Sequence, residues 1–144
     1  MIECSGALIY AKNTNRVLML QKSYGKHQYK WGLVGGTNLD GESVWSGLCR
    51  EIQEEIGFIP DFIKVIPLDI FVSPDSHFNF HTYFCITTSE FIPTLSQEHC
   101  AWCWCAVNQM PKPTHRGVSQ SLKNKYIQNK IQTIVDIIEY LTDI

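Results

Sequence analysis

The sequence predicts a single mixed α/β domain, and three observations support this fold class. The chain has 144 residues, 44% of them hydrophobic and 18% charged, which is within the usual size of one globular domain. Short apolar runs typical of strands occur before and after a segment with helical periodicity. The sequence shows no internal repeat and no low-complexity linker. We therefore expect one hydrophobic core and one domain over residues 1–144.

Composition narrows the classes of partner. The formal net charge is -2 and the calculated isoelectric point is near 6.2, so the chain lacks the basic surplus that neutralises a nucleic-acid backbone. We expect no polynucleotide partner, although a small nucleotide substrate stays compatible with this charge.

The absence of targeting signals and the cysteine content both indicate where the protein is located. The first residues lack the basic and apolar regions of a signal peptide, and no apolar run approaches the roughly 20 residues that span a bilayer. The expectation is a soluble, cytoplasmic protein without a membrane segment. The six cysteines are expected to be reduced thiols, because a chain of this length can build a core without disulfides.

The first elements are predicted to be a hairpin, a loop and a short strand. Apolar runs at 7–10 and 17–20 flank a polar stretch with turn-forming asparagines, which predicts a β-hairpin. Residues 24–30 form a polar, aromatic loop. Residues 31–34 then favour a strand that ends at Gly35 and Gly36.

An amphipathic helix is predicted from Ser43 to Ile56. Its apolar residues recur every four positions, and Gly57 stands where a helix C-cap belongs. The apolar face consists of Val44, Leu48, Ile52 and Ile56.

The rest of the chain is predicted to be sheet followed by a C-terminal helix. Strand-like runs cover 62–66, 68–72, 78–85 and 101–107, and two prolines at 111 and 113 exclude helix there. Ser119 or Ser121 is expected to cap the last helix. Its apolar stripe consists of Ile127, Ile131, Ile134, Ile138 and Leu141.

Three glutamates of the first helix share one face. Glu51, Glu54 and Glu55 lie three and four positions apart, where like charges repel each other. A hard divalent cation such as Mg²⁺ offsets this repulsion. Arg50 can hold one of these carboxylates with its planar fork, and Glu42 can engage that guanidinium in turn.

A solvated acidic helix is the simpler alternative for the glutamates alone. The whole segment from Gly36 to Phe58, however, has the pattern G-x5-E-x7-R-E-apolar-x-E-E-x-G-apolar, and a chance match to so many positions is very rare. This segment resembles the Nudix box, and residues 31–36 resemble the strand and double glycine that precede it. One departure is Val34, where many members of the family have proline.

The resemblance implies a Nudix-like α/β/α sandwich with a mixed sheet over the whole chain. It also implies that Glu51, Glu54 and Glu55 bind Mg²⁺ or Mn²⁺, that the carbonyl of Gly35 is a further metal ligand, and that Arg50 orients the glutamates. The implied activity is metal-dependent hydrolysis of the pyrophosphate in a nucleoside diphosphate linked to another group. The linked group is a phosphate, a sugar as in ADP-ribose, or a second nucleoside.

Two alternatives of other classes stay open. A catalytically silent Nudix-like module would sense a nucleotide, although a pure binder has no need of the complete carboxylate set. An isomerase on the same scaffold would act on a diphosphate ester, but its additional motifs are not visible in the sequence.

Further candidate residues lie outside the box. Glu98, before an aromatic strand, is a candidate metal ligand or general base, and the adjacent His99 is interpreted as structural. In the 24–30 loop, Tyr24, Lys26 and Lys30 are candidates for contacts to a base and phosphates, as is His27.

Three weaker signals lie outside the segment from Gly36 to Phe58. A zinc site of Cys100, Cys103, Cys105 and His99 is a minor alternative, because two of these cysteines lie on a predicted strand. His77 and His81 are placed outside the site. An aromatic surface near Trp102 makes a homodimer conceivable.

Overall fold

The computed structural model describes residues 1–75 and 77–142, with the side chains of residues 139, 141 and 142 left outside the description. Within these ranges the chain forms seven strands and three helices. In chain order they are β1 (Ile2–Ala11), β2 (Arg16–Lys22), β3 (Trp31–Gly32), β4 (Val34–Thr37), α1 (Val44–Ile56), β5 (Lys64–Val72), β6 (Phe78–Thr87), β7 (His99–Cys105), α2 (Arg116–Lys123) and α3 (Lys125–Thr142).

One mixed sheet contains all seven strands. Its main order is β3-β2-β1-β6-β5, with β4 paired to β1 and β7 paired to β2. Strand β1 lies at the centre, because it pairs parallel with β6 and antiparallel with both β2 and β4. The predicted hairpin of the first two apolar runs is confirmed by the antiparallel pairing of β1 with β2. The mixed α/β fold class is confirmed as well.

Strand β1 separates two hydrophobic clusters because successive side chains point to opposite faces of a sheet. Ala7 and Ile9 face one cluster, which includes the apolar residues of α1. Leu8 and Tyr10 face the other, which includes the apolar residues of α3. The two helices therefore cover opposite faces of the sheet, which confirms the α/β/α sandwich in one domain.

Helix α1 has the ends that its sequence predicts. The Ser43 side chain accepts a hydrogen bond from the N–H of Ser46, which makes it the N-cap. Gly57 has φ 88°, a left-handed conformation that favours glycine, and its N–H donates to the carbonyl of Gln53. Both ends are held, so the position of the glutamates along this helix is well defined.

The predicted stop at the double glycine is wrong. The segment forms two short strands, and β4 continues through both glycines to Thr37. Gly35 pairs with Gly6, and Gly36 pairs with Ser5. Backbone pairing with β1 therefore outweighs the low strand propensity of glycine.

The middle and last strands also differ from prediction. The runs at 62–66 and 68–72 are one strand, β5, whose register shifts between Pro67 and Asp69. A bulge at this point accommodates the proline, which has no N–H for the ladder. Strand β7 begins at His99 and ends at Cys105, two residues earlier at each end than predicted.

The predicted N-caps of the C-terminal helix are wrong, because two helices occupy this region. Ser119 and Ser121 both lie inside α2. His115 caps α2 by accepting the N–H of Gly117, and Asn124 accepts the N–H of Tyr126 at the start of α3. As predicted, the two prolines at 111 and 113 precede the helices.

The predicted stripe of the last helix is buried for Ile127, Ile131, Ile134 and Ile138, whereas the Leu141 side chain lies outside the described residues. No helix in the described ranges is both long and apolar enough to cross a membrane. Trp102 is 37% exposed, and dimerisation through its surroundings stays a prediction.

Candidate active site

Helix α1 spreads its three glutamates from the protein interior to solvent. Leu48 and Ile52 on its apolar face are completely buried against the sheet. The side chain of Glu55 is 3% exposed, that of Glu51 13% and that of Glu54 54%. These carboxyl groups therefore meet very different environments, although all three lie within two helical turns.

Arg50 binds three carboxylates, and we call Arg50, Glu42, Glu51 and Glu54 the arginine cluster. Its Nε donates to Glu42 Oε2 at 2.8 Å and its Nη2 to Glu42 Oε1 at 3.0 Å. Its Nη1 donates to Glu51 Oε1 at 3.1 Å and to Glu54 Oε1 at 3.2 Å. The bidentate pair with Glu42 fixes the plane of the guanidinium, which then holds two carboxylates of the helix.

The arginine cluster is electrostatically compensated. Hydrogen bonds from Arg50 and from the N–H of Leu39 hold the pKa of Glu42 below its usual value. The same pairing with Glu42 raises the pKa of the Arg50 guanidinium further above its already high value. Both partners thus stay charged, and the contact that the sequence predicted between them is present.

Glu55 is not compensated in this way. Its Oε1 accepts the N–H of Gly35 at 2.7 Å. Burial raises the pKa of this carboxyl group to about 8, and the negative charges of Glu51 and Glu98 add to the rise, while the Gly35 hydrogen bond opposes it. Burial also raises the pKa of Glu51, with Arg50 acting against it. Ionised Glu55 therefore requires a cation nearby.

Glu55, Glu98 and His99 form a second group, which we call the histidine cluster. One potential metal-ligand atom from each residue lies within 4.8 Å of the others. The Nδ1 atom of His99 is 4.0 Å from Glu55 Oε2, and Lys22 Nζ is 3.6 Å from Glu98 Oε2. Burial, followed by the charge of Lys22, lowers the pKa of His99 to about 4, so its imidazole is neutral at neutral pH.

These donors fit a divalent metal ion. The buried carboxyl group of Glu55 lies beside a second carboxylate and a neutral imidazole, and the carboxylate oxygens are the ligands that hard divalent cations prefer. A cation at this position would also offset the burial and the repulsion from Glu51 and Glu98 that together raise the pKa of Glu55.

The double glycine brings the β4 backbone against these carboxylates. A Cβ atom on Gly36 would lie 2.6 Å from the carboxyl carbon of Glu51, and one on Gly35 would collide with the carbonyl oxygen of Ser5. Larger residues at either position would displace β4 or the helix side chains. This requirement explains the double glycine ahead of the box better than a strand stop does.

A cleft opens beside the histidine cluster. Glu55 and His99 line one end, and Lys22, Lys30 and His27 line the wall next to it. The His27 ring packs edge-on against His115 with the ring centres 4.6 Å apart. The pKa of each histidine is lowered by burial first, and then by nearby positive charges, so both rings are neutral in a wall rich in lysine.

An adjoining groove extends the cleft along the sheet. It shares Leu33, Phe80, His115 and Val118 with the cleft. The groove continues between β5, β6 and α2, where its lining is mainly apolar and includes Ile70, Phe71, Val72 and Phe78. A molecule that reaches from the carboxylates to this groove would thus meet lysines first and apolar side chains next.

Comparison with known proteins identifies the family. The family model described as the NUDIX domain matches residues 4–125. The chain belongs to the Nudix family. The sequence prediction based on the box is therefore confirmed, and the match extends well beyond the box at both ends.

Two curated Nudix relatives illustrate the range of the likeness. Dihydroneopterin triphosphate diphosphatase of Haemophilus influenzae is 31% identical over 137 residues, which cover 85% of this chain and 85% of that protein. Nudix hydrolase 7 of Arabidopsis thaliana is 42% identical over 64 residues, which cover 43% of this chain. The matched region spans 23% of the length of the Arabidopsis protein.

A solved Nudix structure shows the same fold. The NUDIX domain of Shewanella oneidensis NrtR, crystallised with ADP ribose, superimposes with a TM-score of 0.69 at 17% identity. The superposition covers 91% of this chain and 88% of that one. The sandwich described above is thus a Nudix fold.

The residues predicted for the Nudix site fall into three groups. Arg50, Glu51 and Glu54 come together in the arginine cluster, and Glu55 meets Glu98 in the histidine cluster. Of the loop residues, Lys30 and His27 line the cleft, whereas Tyr24 and Lys26 are exposed and outside its lining among the residues described. The catalytic, metal-binding and substrate-binding roles of all these residues stay predictions.

Sequence reasoning missed Lys22 and His115, and it interpreted His99 as structural. Nothing in the spacing of His115 or Lys22 distinguishes them, because each reaches the cleft through tertiary structure. In the described part of the chain, the histidine cluster is the one group of three or more histidine, cysteine, aspartate or glutamate side chains whose ligand atoms lie within 4.8 Å of one another, and it contains no cysteine. His81 lies 2.6 Å from Glu3, outside the cleft as expected.

Proposed function

We propose that this chain is a pyrophosphohydrolase that depends on Mg²⁺ or Mn²⁺ and cleaves a nucleoside diphosphate linked to another group. The observation that carries the proposal is the excess of carboxylate over positive charge at one end of a lysine-lined cleft. Buried Glu55, whose pKa is raised to about 8, is the centre of that excess. A metal ion would complement the negative charge of the carboxylates, and the phosphates of a substrate would complement the positive charge of the lysines.

The residues proposed to hold the metal are Glu51, Glu54 and Glu55, together with the carbonyl of Gly35. With a divalent ion bound by these residues, the pKa of a bound water would be lowered and charge on phosphoryl oxygens would be neutralised. Arg50 orients Glu51 and Glu54 through the contacts described above. Arg50 holds Glu51 and Glu54, and the N–H of Gly35 holds Glu55, before substrate arrives, so these side chains need little reorganisation during the reaction.

The remaining roles belong to the cleft. Glu98 is proposed as a further metal ligand or as the general base, since its side chain is 43% exposed and can accept a proton from water that attacks phosphorus. Lys22 and Lys30 are suited to bind phosphate oxygens. Tyr24 and Lys26, which are exposed, are proposed to contact substrate from the same 24–30 loop.

The adjoining apolar groove is suited to bind a ring in the part of the substrate that lies away from the phosphates. Nucleobases and pterins both offer a flat ring with polar edges, and Phe80 and His115 lie where the groove meets the cleft. The likeness to a dihydroneopterin triphosphate diphosphatase over 85% of the chain favours a triphosphate that carries such a ring as one substrate to test.

The test is a substrate panel with purified protein and Mg²⁺ or Mn²⁺. The panel contains nucleoside triphosphates, dihydroneopterin triphosphate, ADP-ribose and dinucleoside polyphosphates, and a chelator serves as the metal-free reference. At least one compound should be cleaved at its pyrophosphate, and the chelator should stop the cleavage.

The matched variants are Glu55→Gln and Glu90→Gln. Loss of Glu55 removes several kcal/mol of charge stabilisation, which lowers turnover on the order of 10²- to 10³-fold. Glu90 binds Arg16 outside the cleft, so its variant should keep wild-type turnover. Equal turnover of wild type and Glu55→Gln would contradict the proposed metal site.

The silent sensor is the remaining alternative. It is favoured if a compound of the panel binds with measurable affinity while no product forms with either metal. Calorimetry on the same compounds separates the two outcomes, because a hydrolase should bind and turn over the same ligand.

A further inference from the structure

His99 has a buried ring nitrogen without a partner. Its side chain is 6% exposed, and within the described ranges the Nδ1 atom has no hydrogen-bond partner. Buried polar atoms in native proteins are rarely unsatisfied, and those that lack a protein partner commonly bind ordered water or an ion. The environment of this one atom therefore indicates a ligand.

The atoms around the Nδ1 of His99 are carboxylate oxygens. Glu55 Oε2 is 4.0 Å away, and the ligand atom of Glu98 lies within the same 4.8 Å group. A distance of 4.0 Å is too long for a direct hydrogen bond. Two ligands that each lie about 2.1 Å from one ion can be separated by this distance.

The backbone holds both partners in place. His99 opens β7, whose ladder with β2 pairs it with Lys22. Glu55 is anchored by the hydrogen bond from Gly35 to its other oxygen, Oε1, so Oε2 faces His99. The side chains of His99 and Glu55 can therefore bind the same ion with their backbone segments in these positions.

We propose that Nδ1 of His99 is a nitrogen ligand that, together with Glu55 and Glu98, binds a divalent first-row transition ion. Imidazole suits such ions, whereas Mg²⁺ prefers oxygen. The histidine cluster would thus distinguish Mn²⁺ or Co²⁺ from Mg²⁺. The inference deepens the proposed function because it shares Glu55 with the catalytic metal site, but metal binding can be measured without any substrate.

The first experiment measures metal binding by the full chain without nucleotide. Titration calorimetry gives the affinities for Mn²⁺, Co²⁺ and Mg²⁺, and pulsed electron paramagnetic resonance of bound Mn²⁺ detects a directly coordinated imidazole nitrogen. We expect a nitrogen coupling in the wild type and a higher affinity for Mn²⁺ and Co²⁺ than for Mg²⁺.

Three variants identify the nitrogen. His99→Leu removes the ligand and should weaken Mn²⁺ and Co²⁺ binding at least about 10-fold, with a much smaller effect on Mg²⁺. His99→Asn offers an amide oxygen near the same position, so it should retain Mg²⁺ and lose the nitrogen coupling. The exposed His77, with a side chain 79% exposed, provides the control His77→Ala, which should match the wild type.

The outcomes separate this inference from the proposed function. Absence of the nitrogen coupling in the wild type, or equal weakening of Mg²⁺ and Mn²⁺ in a folded His99→Asn, would overturn the inference and leave hydrolysis untouched. A coupling that is lost in both His99 variants, without pyrophosphate cleavage of any panel compound, would support the inference and contradict the proposed function.

Discussion

The arginine cluster and the histidine cluster share helix α1 but differ in what balances their charge. Three carboxylates of the first are bound by one guanidinium, with donor–acceptor distances of 2.8 to 3.2 Å. In the second, Lys22 lies 3.6 Å from Glu98, but the one hydrogen bond to Glu55 from the described residues comes from a backbone N–H. One turn of helix therefore separates a satisfied network from an unsatisfied one.

This difference assigns different tasks to neighbouring glutamates. A satisfied network holds side chains in position and resists rearrangement, whereas an unsatisfied buried carboxyl group is stabilised by any cation that reaches it. The arginine cluster is thus suited to position ligands, and the histidine cluster is suited to receive metal. Substitutions of Glu55 and Arg50 each change one cluster, whereas loss of a helix cap changes neither.

The largest expected effect is a loss of stability of the metal-free protein as the pH rises. The folded pKa of Glu55, about 8, is above its ordinary value of 4.5. Its contribution to stability is therefore complete below about pH 4.5 and is lost as the pH rises through 8. We expect the free energy of unfolding to fall by about 2 kcal/mol between about pH 6.5 and pH 9, as measured by urea denaturation in a chelator.

His99 does not obscure this test. Its folded pKa is lowered to about 4 from 6.5, so its contribution is complete above about pH 6.5 and is lost only as the pH falls. Glu55→Gln should flatten the pH profile of stability. In the wild type at high pH, Mg²⁺ should restore the stability that the metal-free protein has at lower pH. Glu90→Gln should have the same profile as the wild type. An unchanged slope in Glu55→Gln would mean that this carboxyl group is not the one that titrates.

The next effect in size concerns Arg50. Arg50→Met should reduce turnover about 10- to 100-fold, the usual effect of removing a residue that orients metal ligands. Arg50→Lys keeps the charge but loses the bidentate fork. Its turnover should therefore lie between that of the wild type and that of Arg50→Met. Steady-state rates against metal concentration measure both effects.

Arg16 supplies the control for this experiment. Its guanidinium binds Glu90 through two contacts of 2.7 Å, the same geometry at a site far along the sequence from α1. Arg16→Lys should leave the rates unchanged. If it lowers them as much as Arg50→Lys does, the effect is a general consequence of losing an arginine and not of the helix carboxylates.

The sequence was sufficient to predict the arginine cluster. Arg50, Glu51 and Glu54 lie within one helical turn, and periodicity and capping signals specify that helix. The fold class followed in the same way, from short-range patterns. The family resemblance then supplied the sandwich, which no single element predicts.

The histidine cluster could not be predicted in the same way. Glu55 and His99 are 44 positions apart in the sequence, and they meet because β7 pairs with β2 beside β4. The division of the last helical region at Asn124 was missed for a related reason, because one side-chain cap decides whether a helix continues or restarts. Contacts that depend on strand pairing or on one cap leave little trace in periodicity.

The smallest predicted effect separates the stability of helix α1 from its chemistry. Ser43→Ala removes the N-cap and should lower the free energy of unfolding by about 1 kcal/mol, and Asn124→Ala should do the same at the start of α3. Urea denaturation measures both. Neither cap touches the histidine cluster, so the pH profile and the metal affinity of both variants should match those of the wild type. Ser43 is the more demanding case, because the adjacent Glu42 belongs to the arginine cluster. If Ser43→Ala weakened metal binding and Asn124→Ala did not, the two clusters would be coupled through the helix start, and their separate tasks would have to be revised.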